Sequence, residues 1–367
     1  MHRARPQNPR RHRPHRIAIA ASLLCGTCLP AAAQTTYYIW SGNLNPAPAS
    51  ALAPVFDANG PLYVATGAPG SFAALAGAQM TATTLSIGNG GNGSGDVTIS
   101  GTNPGSGVRT TAVLGGAGNR LEVGNYGSGS LTVSAGALLD ATATPANCGG
   151  NCYNVVGNAA GSTGTLTITG AGSELKTVGG FTLGSAYVDN AFNFGTPGGT
   201  TTATLNVLAG GTLRTQSTML AGGPSGPSAL GTEQSFATAT VDGAASRWYI
   251  TGTGSGGASA NLNAGSTRSQ ATITLSNGGQ LIVDATGEAG AGANFVNVGS
   301  NGGRGDLVVN SGGKLIVVEG LGPFERLFSF LDLGFQFLNL FVVLFLLVLV
   351  DRYGRGTKFR EHLLLRR

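Results

Sequence analysis

Ile273-Thr274-Leu275-Ser276-Asn277-Gly278-Gly279-Gln280-Leu281 alternates apolar and hydroxyl side chains, breaks at two glycines and resumes on an apolar residue. A period of two puts Ile273 and Leu275 on one face of a strand and Thr274 on the other. The Asn-Gly-Gly step marks a turn. Downstream the signature recurs as Leu307-Val308-Val309-Asn310-Ser311-Gly312-Gly313-Lys314-Leu315. Upstream it recurs as Ala239-Thr240-Val241-Asp242-Gly243, as Leu205-Asn206-Val207 through Gly211-Thr212-Leu213, and as Leu166-Thr167-Ile168-Thr169-Gly170. Leu131-Thr132-Val133-Ser134-Ala135-Gly136 and Val97-Thr98-Ile99 complete the set. The copies start at 97, 131, 166, 205, 239, 273 and 307, with spacings of 34, 35, 39, 34, 34 and 34. A second signature, an apolar pair ending in glycine, precedes most copies: Leu85-Ser86-Ile87-Gly88, Leu121-Glu122-Val123-Gly124, Val155-Val156-Gly157, Phe181-Thr182-Leu183-Gly184 and Val296-Asn297-Val298-Gly299.

Each unit therefore supplies about three short strands separated by Gly-rich turns. One unit cannot bury its Leu, Val and Ile face alone, but stacked units can, each strand bonding to its counterpart above and below. The expected fold is all-β: a right-handed parallel β-solenoid of about seven repeats of ~34 residues, spanning roughly 34 Å if each unit is one rung. In that geometry Leu131, Val133, Leu166, Ile168, Leu205, Val207, Ile273, Leu275, Leu307 and Val309 point inward together, with Thr132, Thr167 and Thr274 outward. The longest gaps, Gly184 to Leu205 and Gly222 to Ala239, mark the largest loops. A β-propeller needs longer, antiparallel strands. Collagen needs glycine at every third position, and the 62 glycines here have no such period.

Charged residues are only 10% of the 367, against about 25% in an ordinary soluble domain. The net charge of +5 comes from the ends. Between 34 and 320 there are eight Lys and Arg against twelve Asp and Glu, with no basic run. A phosphate backbone needs clustered cations, so no nucleic-acid partner is expected. The four histidines are His2, His12, His15 and His362. The middle therefore has no imidazole for a Ser-His-Asp or Cys-His mechanism or for a His-based zinc site. No cofactor and no metal are expected.

Residues 1–33 read as a secretory signal: a basic run from Arg3 to Arg16, an apolar run from Ile17 to Leu29, and Ala31-Ala32-Ala33. Cleavage is expected between Ala33 and Gln34. Cys25 and Cys28 leave with it, and export puts Cys148 and Cys152 in an oxidising compartment. Their Cys-Gly-Gly-Asn-Cys spacing suits a small disulfide loop rather than a Cys-x-x-Cys redox centre. Residues 34–84 read as an N-terminal cap and first strands, and 85–320 as the repeat array. In 321–367 the composition changes: from Leu327 to Val350, 19 of 24 residues are apolar. This stretch is expected to form a C-terminal apolar helix able to span a membrane, with the basic segment from Arg352 on the cytoplasmic side. The rival reading is that the tail is sequence from another reading frame.

Residues 85–317 resemble the β-helical passenger region of bacterial autotransporter proteins. The resemblance rests on Gly124 to Gly136, on Gly299 to Gly313, on the second repeat form Thr240 to Trp248, and on Trp40-Ser41-Gly42-Asn43. It implies an exported protein at the cell surface, in the outer membrane or secreted. The family also carries a C-terminal outer-membrane barrel of repeated ten-residue strands. Only 47 residues follow Gly320, and they read as a helix, so that barrel is not expected here. Anchoring in the inner membrane, facing the periplasm, is the alternative.

Two kinds of candidate site stand out. Arg304-Gly305-Asp306 is the integrin-binding tripeptide, expected in the turn before the last strand. Asp284 and Glu319 lie at similar places in successive units and are expected as neighbours, where paired carboxylates can hydrolyse glycosides. Two function classes follow. The first is a non-enzymatic, adhesin-like or structural surface protein whose partners are host or matrix molecules or polysaccharide. The second is a polysaccharide-active β-helix enzyme.

Overall fold

The computed structural model describes residues 35–115, 121–142, 153–187, 196, 198–223, 231–252, 260–284 and 294–318. The signal and its Ala33–Gln34 site, Cys148, Cys152, Glu319 and the 327–350 segment lie outside them. The described residues form strands and turns without a helix.

Strands fall into three nine-stranded sheets. Sheet A contains Tyr38–Gly42, Gly70–Leu75, Ser94–Ser100, Ser128–Ser134, Thr163–Thr169, Thr200–Leu208, Gln234–Asp242, Ser269–Ser276 and Arg304–Val309. Sheet B runs from Leu44–Asn45 to Phe295–Val298, and sheet C from Val55–Asp57 to Lys314–Val318. The chain visits B, A and C in turn and then repeats, so each rung gives one strand to each sheet. From Leu62 onward every pairing between successive rungs is parallel. The protein is a parallel β-solenoid, with one ~34-residue unit to a rung.

The seven sequence anchors occupy seven consecutive strands of sheet A. Val97 lies level with Leu131, Leu131 with Leu166, Leu166 with Leu205, Leu205 with Ala239, Ala239 with Ile273 and Ile273 with Leu307. Leu131, Val133, Leu166, Ile168, Leu205, Val207, Ile273 and Leu275 are wholly buried, and Thr132, Thr167 and Thr274 face outward and half-buried. Burying these apolar faces against like neighbours is the main driving force for stacking, at roughly 1.5–3 kcal/mol for each such side chain.

The corner from sheet A to sheet C is tight. Asn277 and Gly278 both take left-handed φ, 51° and 82°, and the Gly279 N–H donates to the Ser276 carbonyl at 2.8 Å. Two left-handed residues in succession redirect the strand within one turn, which glycine and asparagine tolerate best. Ala135–Gly136, Ala209–Gly210 and Ser311–Gly312 repeat the device. The A-to-C connection from Ser100 to Thr111 is longer, and the other two corners also vary in length, as in the long connections from Leu183 to Thr200 and from Leu220 to Gln234.

The two ends differ. At the first, Tyr38–Gly42 and Leu44–Asn45 run antiparallel to the strands they cover. Tyr38, Phe56 and Phe72 close the core there with ring centroids 5.8 to 6.2 Å apart. At the other, Leu307 and Val309 are only partly buried, with Val296, Leu315 and Val317. They depart from the expected continuous core because no described rung lies beyond them. Phe295 is 48% exposed on the same rung.

Candidate functional site

The outward column at the leading edge of sheet A carries Phe236, Gln270 and Arg304 in register on three successive rungs. Two residues earlier in each rung come Gln234, Arg268 and Gly302. These six side chains and backbones line an open cavity of about 290 Å³. Ser269, at its base, is turned inward and donates its Oγ to the Ala221 carbonyl at 2.6 Å. Gln234, Arg268, Gln270 and Arg304 are exposed, and Phe236 is half-buried.

Arg268 is conformationally unusual. Its φ is +54°, and every other described non-glycine residue with positive φ is Ala, Asn or Ser. Gly302, one rung on, holds the matching left-handed position with φ +80°. A long charged side chain in this slot costs about 1–2 kcal/mol relative to glycine. Arg304 forms an ion pair with Asp306, Nε to Oδ2 at 2.9 Å.

The tripeptide Arg304-Gly305-Asp306 is not in a turn, contrary to expectation. It forms the first half of the strand Arg304–Val309, with Gly305 opposite Ala271 and Asp306 opposite Thr272. The strand begins before its apolar triplet because Gly305 fills an inward slot too close for a side chain. A Cβ there would lie 2.5 Å from the Ala264 carbonyl oxygen. Its two charged neighbours are paired to each other, on a strand rather than at a loop tip.

Asp284 sits at the end of the strand Gln280–Asp284, level with Val318. Val318, not Glu319, therefore holds the position beside it, and Glu319 lies outside the described residues. Among the described residues no group of three or more His, Cys, Asp or Glu is placed to hold a metal ion. No described helix is long and apolar enough to cross a membrane.

One cluster has no counterpart among the sequence expectations. On the outer face of sheet C, Glu174 is flanked by Arg214 at 2.9 Å, Lys176 at 3.6 Å and Arg109 at 3.8 Å. The Arg214 guanidinium lies 4.3 Å from the Tyr249 ring centre. Arg109 also donates to the Ala137 carbonyl at 2.9 Å and to Gly136 and Gly172. With its donors on backbone oxygens, this cluster works as a clamp across rungs. Writing the units in phase shows Lys176, Arg214 and Tyr249 in one column, the signal by which the sequence could have revealed it.

The fold defines the class of protein, a parallel three-sheet β-solenoid. No family model, curated protein or solved structure matches the chain.

Proposed function

We propose that this chain is an exported, non-enzymatic surface or secreted scaffold of the autotransporter-passenger type, with an adhesin-like use. The observation that carries this reading is the uninterrupted solenoid itself. Its three long outer faces repeat from rung to rung, and a repeated face suits extended contact with a host, matrix or polysaccharide surface. The basic and apolar leader supports export, and the apolar 327–350 segment supports retention at a membrane.

The test is fractionation of the native host, with mass spectrometry of both termini and protease shaving of intact cells. The expected result is a chain beginning at Gln34, with solenoid peptides released from the outside. Recovery of an intact chain beginning at Met1 in the cytoplasm would overturn the proposal.

A further inference from the structure

The geometry points to a binding site for an acidic saccharide in the cavity formed by Gln234, Phe236, Arg268, Gln270, Gly302 and Arg304. Four observations converge on this ligand class. First, two guanidinium groups one rung apart line a single cavity. The solenoid around them is mildly acidic, with eight basic against twelve acidic residues between 34 and 320. Arg304 shares its charge with Asp306, so Arg268 carries the net positive charge of the cavity, while the cations of sheet C gather around Glu174. Guanidinium is also the side chain best shaped for two parallel bonds to a carboxylate or sulfate.

Second, Gln234 and Gln270 flank the arginines with amides that both donate and accept, as sugar hydroxyls require. Third, the half-buried Phe236 ring offers an apolar wall to the C–H face of a sugar ring. Fourth, Arg268 occupies a left-handed slot where the next rung uses glycine. Backbone strain of this kind concentrates at ligand sites. The Arg268 guanidinium also packs over Gly231 of the preceding rung, and the left-handed backbone itself would be less strained with glycine or asparagine.

The cavity is open and about 290 Å³, close to the lower limit for small-ligand sites. That suits one or two sugar units of a longer chain lying on the outer face. A nucleic acid would need a run of cations that this surface lacks. An acidic peptide would satisfy the arginines but would make little use of the ring and the paired amides. That the saccharide is met outside the cell rests on the scaffold reading above, whereas the chemistry of the cavity does not.

Purified full-length protein should be titrated calorimetrically with a hexameric oligogalacturonide, a sulfated oligosaccharide of equal length, uncharged maltohexaose and a glutamate hexapeptide. The expected result is saturable binding of one or both acidic saccharides, the pair separating carboxylate from sulfate as the anion, and none of maltohexaose. Arg268→Asn keeps a residue that tolerates the left-handed backbone, and Arg304→Gln keeps the strand. Each should weaken binding by about tenfold, the worth of one hydrogen-bonded charge. Phe236→Ala should weaken saccharide binding as well. Lys314→Gln removes a cation from sheet C and should leave affinity unchanged.

Absence of binding to either acidic saccharide overturns the assignment. So does equal loss in Lys314→Gln, which would mean diffuse charge attraction. Equal binding of the glutamate peptide with no effect of Phe236→Ala would replace the saccharide with a peptide. If fractionation places the chain in the cytoplasm while these titrations hold, the scaffold reading falls and the site stands.

Discussion

Leu166 and Thr167 are adjacent in sequence and opposite in role. Leu166 is wholly buried between Leu131 and Leu205, and Thr167 faces outward beside Thr132 and Asn206. A charge at the first position enters an apolar rod with no partner. A charge at the second stays at the solvent face. Leu166→Asp is expected to lower unfolding free energy by more than about 3 kcal/mol, and Thr167→Asp by less than about 1 kcal/mol. Denaturant titration of both variants decides the matter, and equal losses would contradict the inward and outward assignment. The same alternation explains the exposure of Arg304 on its strand, whereas Arg268 is exposed on the turn that precedes Ser269–Ser276.

At the scale of elements, the repeats were legible because each anchor pairs with its copy one unit away, and a constant step survives drift in the residues between. The rung made by Leu62–Val64, Gly70–Leu75 and Gln79–Ala82 was harder to read as a repeat. Phe72 is level with Val97 and Ala74 with Ile99, so its step is shorter than the rest and its core residues depart from the Leu-x-Val pattern. The placement of Arg304-Gly305-Asp306 failed for a related reason. The small residue at 305 reads as turn material but packs as the first inward residue of a strand. The cavity beside it was invisible because its residues come from three units and meet only through register.

The antiparallel cap yields a pH prediction. Tyr38 is fully buried and donates to the Gln79 carbonyl at 2.6 Å, and burial pushes its hydroxyl from 10.0 up to about 12. Between those values the unfolded chain has lost the phenolic proton and the folded one retains it. This contribution to stability is therefore complete below pH 10 and lost as pH rises toward about 12. Denaturant midpoints measured across that window should fall less steeply for Tyr38→Phe than for the natural chain, and equal slopes would remove Tyr38 as the cause.

For the molecule as a whole, stability is a sum over rungs and the interfaces between them. An interior rung has two such interfaces, and the rung from Phe295 to Val318 has one among the described residues. Amide hydrogen exchange should therefore be slowest at Leu166 and Leu205 and fastest in Phe295–Val298 and Arg304–Val309. Uniform exchange would mean that the whole solenoid opens in one step. The first end also limits how the rod can have lengthened. Tyr38–Gly42 and Leu44–Asn45 lie antiparallel across the first parallel rung, like a lid riveted to one end of a pipe. A duplicated unit placed before Leu62 would have to unseat Tyr38, Phe56 and Phe72 from one another. Evolution by unit duplication is thus obstructed at that end of the rod.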